Sequence, residues 1–268
     1  MAEELEVIID ENGEERRCGS LANPDNFVCA FPTFEATFEV WNDQQIKRVI
    51  TDQNRVPARK VFGPEWIQNQ KSHGSCNGYA LGGGLSKSRW LRGIQDGLLL
   101  SGAFPYSRMN GGRDNGSALS DGLKVIEQYG SCPESLVSWD MIYKNQQPAN
   151  AEAEAAKHKG LVCYAAGTMQ GLRTGLAKGF IAIVAVHAGG SFQRLNAQGI
   201  AGVDSGGGNH SVHCDDLCVV GGTEVFDMAN SWGTGYGTAG RAYLTKDTFR
   251  GTFQNHTFYL IGSTEESE

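Results

Sequence analysis

Residues 68–80 read Gln-Asn-Gln-Lys-Ser-His-Gly-Ser-Cys-Asn-Gly-Tyr-Ala, and this stretch decides how the rest of the sequence is interpreted. A Gly-Ser pair comes directly before Cys76, and a run of small and apolar residues follows it. Leu81 and Leu85 are at helical spacing, and basic residues lie toward the end of the run, so a helix of about four turns is favoured. The stretch therefore predicts a cysteine at a helix N-terminus, where the helix dipole stabilises a thiolate.

Four glycines interrupt this helical pattern. Each costs about 1 kcal/mol relative to alanine in a helix interior. Such a helix forms only if its neighbours pack closely against it, so we expect a buried central helix. The four are Gly78, Gly82, Gly83 and Gly84.

The charge balance excludes several classes of partner. The 268 residues carry 23 Lys and Arg against 30 Asp and Glu, a net charge of −7. A nucleic-acid backbone needs a basic surface, so we expect no nucleic-acid partner. The N-terminus lacks the basic start and apolar core of a secretion signal, and no apolar run reaches the length of a membrane span. No membrane association is expected.

The cysteines indicate a reducing compartment. There are seven of them, an odd number, and they are scattered along the chain rather than densely spaced. A chain of this length can bury a core without disulfide bonds. We therefore expect a cytoplasmic location.

The sequence divides into three parts. Residues 1–50 contain an alternating apolar run broken by Glu-Asn-Gly, which predicts a β-hairpin. Residues 51–150 carry helical patterns, and residues 151–268 consist mainly of short strand-like runs between Gly-rich turns. This order predicts an α+β fold with a helical lobe, a β-rich lobe and a ligand site in the cleft between them. The predicted strands are 181–186, 210–217, 225–229 and 242–245; the predicted further helices are 117–130 and 151–160.

A nucleophilic cysteine needs partners, and the sequence offers candidates for each role. Gln70, six residues before Cys76, could place its side-chain amide beside the backbone N–H of Cys76 and form an oxyanion hole. A histidine is needed as base, with a third group that accepts its other N–H. His210 and His213 are candidates for the base, and Asn230 is the candidate for the third group.

These residues, in this order, resemble the papain-like cysteine peptidases. The matching motifs are Gln-Lys-Ser-His-Gly-Ser-Cys at 70–76, Asn-His-Ser-Val at 209–212, and Asn-Ser-Trp-Gly-Thr-Gly-Tyr-Gly beginning at Asn230. His210 and Asn230 follow Cys76 by about 130 and about 150 residues, the separation typical of that family. The resemblance covers residues 55–262.

The resemblance implies a fold and an activity. It implies a two-lobe fold with Cys76 on a helical N-terminal lobe and with His210 and Asn230 on a β-barrel-like C-terminal lobe. It implies hydrolysis of peptide bonds through an acyl-enzyme on Cys76, with Gln70 in the oxyanion hole. The expected partner is a polypeptide substrate, and no cofactor or metal is implied.

The resemblance also implies substrate contacts. Asn115, Gly116 and Ser117 look like the family's Asn-Gly-Gly turn, whose backbone pairs with substrate. Trp232 corresponds to the tryptophan that shields the hydrogen bond from Asn230 to the histidine.

Three features depart from the family pattern. His73 stands where the family usually has a disulfide cysteine, which removes the usual framework disulfide. Asn77 stands where an aromatic residue normally follows the nucleophile. Residues 1–50 do not resemble the long helical propeptide of secreted members, so the sequence gives no indication of zymogen-style control. A member of this kind could process a specific partner, for example in microbial or viral assembly.

Either histidine could be the base. His210 carries the Asn-His-small-Val pattern, whereas His213 would place the Gly221-Gly222 turn midway to Asn230, as a symmetric hairpin requires. Residues three apart on a strand face opposite sides, so only one of them can point at Cys76. We favour His210.

Two other functions fit parts of the sequence. A non-catalytic module that binds peptides or proteins could keep the peptidase cleft, although it would have no reason to keep all four catalytic groups. A structural zinc site is the second, since imidazole and thiolate are zinc ligands. Strand alternation spreads these groups over both faces, and the Asp215-Asp216 pair is expected at a strand end or a solvated turn. The candidate zinc ligands are His210, His213, Cys214 and Cys218.

Overall fold

The chain folds into two lobes around a long buried helix in a computed structural model that describes residues 5–23, 29–159, 162–252 and 258–262. The helices are α1 Phe34–Thr37, α2 Asp43–Ile50, α3 Ala58–Val61, α4 Cys76–Leu91, α5 Ala103–Met109, α6 Leu119–Tyr129, α7 Ala151–Ala155 and α8 Met169–Ala177. The strands are β1 Glu6–Ile9, β2 Glu15–Cys18, β3 Ser20–Leu21, β4 Ser117–Ala118, β5 Val162–Ala166, β6 Ile181–Val186, β7 His210–Val220, β8 Thr223–Ala229, β9 Arg241–Leu244 and β10 Phe258–Gly262.

Helix α4 is the predicted central helix, and it begins at Cys76 as predicted. Of its 16 residues, all from Cys76 to Arg89 are buried. Its glycines allow the close packing that the sequence requires. A Cβ on Gly82 would lie 2.7 Å from the carbonyl oxygen of Ser101, and one on Gly84 would lie 2.6 Å from Cδ1 of Ile183. The prediction of a buried helix held by tight packing is confirmed.

A six-stranded antiparallel sheet, in the order β5-β10-β6-β7-β8-β9, forms the second lobe. Strand β6 is apolar on both faces because helices cover both faces. Ile183 packs in a cluster with Leu85 of α4, and Val184 packs in another with Leu172 of α8. The sheet therefore lies between α4 and α8, and its β7 strand runs alongside the helix that begins with Cys76.

Two small sheets complete the fold. Strands β1 and β2 pair antiparallel and form the hairpin predicted near the N-terminus. Strand β3 then pairs parallel with β4, Ser20 opposite Ser117. The hairpin and β3 thus place the N-terminal residues beside the loop that precedes α6. The predicted division of the chain at residue 50 stays a prediction.

Helix α4 and the sheet are also joined by buried charges. Lys87 Nζ lies 2.5 Å from Asp215 Oδ2, and Arg241 pairs with both Asp215 and Asp227. The expectation that Asp215 and Asp216 lie at a strand end or a solvated turn is wrong, since both are buried within β7. Their cationic partners come from distant parts of the chain and compensate the buried charge.

No helix within the described residues combines the length and the apolar character needed to cross a bilayer.

Candidate active site

Cys76 is the first residue of α4, and its side chain is completely buried. Burial raises the pKa of the thiol to about 11, although backbone N–H groups that point at the sulfur, including those of Ser211 and Gly19, act in the opposite direction. In this conformation the sulfur is therefore a thiol at neutral pH, in spite of its place at a helix N-terminus.

His210 is the first residue of β7, and its ring is held by Asn230. Its Nε2 lies 2.8 Å from Asn230 Oδ1, an oxygen that also accepts a hydrogen bond from the Ser231 N–H. An amide oxygen only accepts, so Nε2 carries the proton and Nδ1 of the neutral ring is free to take one. Burial lowers the pKa of His210 to about 4, and the bond to Asn230 opposes this only in part.

The structure joins His210 to Asn230 and places Cys76 against the strand that carries His210. One of the backbone N–H groups that point at the Cys76 sulfur belongs to Ser211, the residue next to His210. Trp232 lies against the imidazole of His210, with ring centroids 4.8 Å apart. The indole is almost completely buried. That it shields the bond from Asn230 to His210 stays a prediction.

His213 lies elsewhere. Its ring packs against Gly83, seven residues and roughly 10 Å along α4 from Cys76. Burial lowers the pKa of His213 well below its usual value, and the nearby Lys87 and Arg241 lower it further. Of the two candidate histidines, His210 is the one that meets Asn230.

Gln70 is beside the site, but both of its N–H groups are occupied. Its Nε2 donates to the carbonyl oxygen of His73 at 2.7 Å and to that of Arg17 at 3.1 Å. Its Oε1 accepts from the Ser231 hydroxyl at 2.6 Å, which orients the amide. The predicted oxyanion donor is therefore already hydrogen-bonded to the backbone carbonyl oxygen of Arg17.

The turn predicted to pair with substrate is also occupied. Ser117 N–H donates to the Gly19 carbonyl oxygen at 2.9 Å, within the pairing of β3 with β4. Gly116 has φ +75°, and its N–H donates to the Tyr106 hydroxyl at 3.1 Å. Asn115 is exposed. The edge on which the sequence predicts a substrate strand thus carries the N-terminal residues.

Residues 5–21, here called the N-terminal arm, account for the burial of Cys76. Gly19 crosses directly over the loop before the nucleophile, where an added Cβ would lie 1.9 Å from the carbonyl oxygen of Gly74. Only glycine fits so close to another backbone. Ser20 N–H donates to the Asn209 carbonyl oxygen at 2.9 Å, which fixes the arm to the β lobe as well. Nothing in the sequence pattern assigns these residues to the site.

A hydrogen-bonded pair is present where the resemblance implies a missing disulfide. His73 Nδ1 lies 3.0 Å from Asp114 Oδ2, and Asp114 Oδ1 accepts from the Gly74 N–H and the Tyr106 hydroxyl. Burial would raise the pKa of Asp114, but these three donors hold it below its usual value. The pair ties the loop before Cys76 to the turn that carries Ser117.

Asn77, the second of the three departures, joins the two lobes. Its Nδ2 donates to the Ser117 carbonyl oxygen and lies 3.1 Å from the Ser117 hydroxyl, and its Oδ1 accepts from the Ser211 hydroxyl. An aromatic side chain at this position could not make these bonds.

Comparison with known proteins shows the fold. Xylellain, a cysteine protease from Xylella fastidiosa, superposes with a TM-score of 0.64 at 19% identity, covering 92% of this chain and 97% of that chain. Digestive procathepsin L2 of Tenebrio molitor larval midgut gives a TM-score of 0.65 at 16% identity, covering 92% and 78%. Procathepsin B S9 from Trypanosoma congolense gives 0.61 at 15% identity, covering 93% and 88%. The chain has the papain-like fold.

Comparison of the sequence alone with known proteins finds no match. No protein-family model and no curated protein matches this chain. The papain-like fold is therefore recognised from the structure and from the few motifs around Cys76, His210 and Asn230.

The zinc alternative gains nothing from the geometry. Within the described parts of the chain, no group of three or more His, Cys, Asp or Glu side chains is placed to hold a metal ion. His213 packs against α4, whereas Cys214 lies in the apolar cluster that contains Leu172 of α8. The two neighbours face opposite sides of β7, so they cannot bind one ion.

Proposed function

We propose that this chain is a cysteine endopeptidase that acts through an acyl-enzyme on Cys76, and that the N-terminal arm holds it in a latent form. The observation that carries the proposal is the set of contacts around His210. Asn230 fixes the tautomer in which Nδ1 can accept a proton, and the neighbouring Ser211 N–H points at the Cys76 sulfur. The structural neighbours with the same fold include cysteine proteases.

Each group has one role in the reaction. His210 Nδ1 takes the thiol proton, and the resulting thiolate of Cys76 attacks the scissile carbonyl carbon. The amide of Gln70 and the N–H of Cys76 stabilise the oxyanion that forms. His210 then donates its proton to the leaving amine, and water hydrolyses the thioester to release the second product. Asn230 keeps the imidazole oriented through both proton transfers.

The arm occupies three groups of this site. The Arg17 carbonyl oxygen accepts a hydrogen bond from the Gln70 amide, and the Gly19 carbonyl oxygen accepts one from the Ser117 N–H. The Gly19 N–H points at the Cys76 sulfur. Burial also keeps Cys76 and His210 neutral, because a thiol with a pKa of about 11 cannot protonate an imidazole with a pKa of about 4. The arm has to leave before the ion pair forms and before a substrate enters.

The alternative function is a module with the papain-like fold that binds peptides without cleaving them. Such a module requires the same cleft but no proton transfer. Hydrolysis of a peptide therefore distinguishes the peptidase from the binding module. The full chain with Gly19→Ala provides the test, since the added Cβ meets the Gly74 carbonyl oxygen and displaces the arm.

We expect Gly19→Ala to hydrolyse members of a fluorogenic peptide panel and the parent chain to be slower. Adding Cys76→Ser to Gly19→Ala should abolish hydrolysis. Gly13→Asn is the matched control, because Gly13 is in the hairpin turn with open space around it and asparagine tolerates its φ of +78°. If Gly19→Ala exposes Cys76 to alkylation yet hydrolyses no peptide, the binding module is favoured instead.

A further inference from the structure

Arg16 is a charged side chain buried in the contact between the arm and the body of the protein. It is 3% exposed. A guanidinium is stable in such a place only when acceptors surround it. Its Nε donates to Asp10 Oδ2 at 2.8 Å, its Nη1 to Asn69 Oδ1 at 2.9 Å and its Nη2 to the Trp232 carbonyl oxygen at 3.2 Å. All three of its nitrogens therefore have an acceptor.

Two of these three acceptors belong to the body, and they are held in place without the arm. Asn69 and Trp232 are joined by an antiparallel bridge. Asn69 Oδ1 also accepts from the Lys71 N–H at 2.9 Å, and its amide packs against Gly233. The oxygens are thus oriented before any guanidinium arrives, which lowers the cost of binding one.

The geometry selects a guanidinium over an ammonium. The acceptors lie along different edges of one planar group, and a guanidinium presents its five N–H donors in a fixed plane. The ammonium of a lysine is a compact point charge without this shape. Arg17, the next residue, shows the contrast within the same strand: its side chain is 41% exposed, pairs with Glu15 at the surface and lies 3.9 Å from Asp114.

The recess between Asn69 and Trp232, which holds the guanidinium of Arg16, also has a defined place relative to the nucleophile. Trp232 lies against His210, the group that must protonate the leaving amine, so this side of the cleft faces the leaving half of a substrate. Arg16 reaches the recess from a backbone position three residues before Gly19, whose N–H points at the Cys76 sulfur.

We infer that the recess between Asn69 and Trp232 is a guanidinium subsite, filled by Arg16 while the arm is in place and by an arginine on the leaving-group side of a polypeptide substrate after the arm has left. The substrate part rests on the proposed function. The binding of a guanidinium does not, because it can be measured on the latent chain without any hydrolysis.

The first experiment uses the full chain and the rate at which iodoacetamide alkylates Cys76, followed by mass spectrometry. Arg16→Ala removes the charge-assisted bonds that fasten the arm, so alkylation should accelerate about tenfold or more. Methylguanidine in the buffer should refill the recess and restore slow alkylation, whereas methylammonium at the same concentration should not. Arg250→Ala, which removes an exposed arginine paired with Asp247, is the matched control and should alkylate like the parent.

Two results would overturn the subsite. One is an Arg16→Ala variant that alkylates like the parent. The other is methylguanidine rescue that persists when Asn69→Ala is added to Arg16→Ala, because guanidinium binding would then not depend on the acceptor that the body supplies. Loss of rescue in this double variant supports Asn69 as an acceptor of the subsite.

The second experiment tests the substrate. In Gly19→Ala, peptides with arginine on the leaving-group side should have a KM about tenfold lower than the same peptides with citrulline, which keeps the shape and loses the charge. Equal KM values would overturn the substrate part. If no peptide of the panel is hydrolysed, the result counts against the peptidase. The alkylation experiment would still decide whether the recess binds a guanidinium.

Discussion

Helix α4 and strand β7 meet at two buried polar clusters that differ in charge. At the first, Cys76 and His210 are neutral: burial raises the pKa of the thiol to about 11 and lowers that of the imidazole to about 4. At the second, Lys87 and Asp215 are ionised, with the pKa of Asp215 held well below its usual value by Arg241 and Lys87 in spite of its burial.

The difference comes from the partners. Asp215 meets two cations, so the charges compensate one another without water. Cys76 and His210 meet only amides and backbone N–H groups while the arm covers them, so burial favours their neutral forms. A charged pair at the first cluster therefore depends on removing the arm, whereas the second cluster is ionised at neutral pH with the arm in place.

The largest effect is expected at the cluster of Lys87 and Asp215. Asp215→Asn leaves the buried cations Lys87 and Arg241 with less compensation, and breaking a buried ion pair in this way costs about 3–5 kcal/mol. We expect a loss of that size in the free energy of unfolding, measured by urea denaturation. Asp121→Asn, which removes an exposed pair with Lys124, is the control and should change stability little. A loss below about 1 kcal/mol for Asp215→Asn would contradict an ionised cluster.

An intermediate effect is expected from the buried imidazole. The folded pKa of His210, about 4, is below its unfolded value of about 6.5, so the unfolded chain binds more protons between these values. The stability contribution of His210 is complete above about pH 6.5 and is lost as the pH falls toward 4, by up to about 3 kcal/mol.

Urea denaturation at several pH values between about 4 and 7 would measure this loss. His210→Gln has no imidazole to titrate, so its stability should fall less steeply than that of the parent over this range. Parallel curves for the two proteins would mean that His210 is not buried in its neutral form.

The smallest effect is expected at the pair between His73 and Asp114. Asp114→Asn keeps an acceptor for the Gly74 N–H and the Tyr106 hydroxyl but loses the charge opposite His73. A charge-assisted hydrogen bond at a half-buried position contributes about 1–2 kcal/mol, and we expect a loss of that size in urea denaturation. The effect should be absent when His73→Gln is already present, since the two residues act as a pair. If the losses of the two single variants add up in the double variant, His73 and Asp114 do not act as a pair.

The parts of the fold that local sequence patterns determine could be predicted. The start of α4 at Cys76 follows from the Gly-Ser turn and the leucines after it, and β6 coincides with its apolar run. Strand β10 was not predicted, although it lies between β5 and β6. Its place depends on pairing with segments far away in the chain, and no pattern within five residues encodes that pairing.

The candidate site was predictable in part, for a similar reason. The spacing of Cys76, His210 and Asn230 pointed to one cluster, and the structure joins His210 to Asn230 and places Cys76 against the neighbouring Ser211. The occupation of Gln70 and Ser117 by the arm could not be read from the sequence, because the decisive feature is the fit of Gly19 against Gly74. The ionised state of Asp215 was missed because its cationic partners are remote in sequence.

The central claim is that the arm keeps Cys76 and His210 neutral and that they form an ion pair without it. The rate of Cys76 alkylation by iodoacetamide between about pH 4 and 9, in the parent and in Gly19→Ala, tests it most directly. We predict slow labelling of the parent at every pH. Gly19→Ala should label fast and almost equally from about pH 5 to 8, as expected for a paired thiolate with a pKa of about 3–4.

Adding His210→Ala to Gly19→Ala should return the profile to that of an ordinary thiol with a pKa of about 8.5, whereas adding His213→Ala should leave the flat profile unchanged. Labelling of the parent as fast as that of Gly19→Ala would contradict the latent state. An ordinary-thiol profile in Gly19→Ala itself would contradict the ion pair, and with it the peptidase.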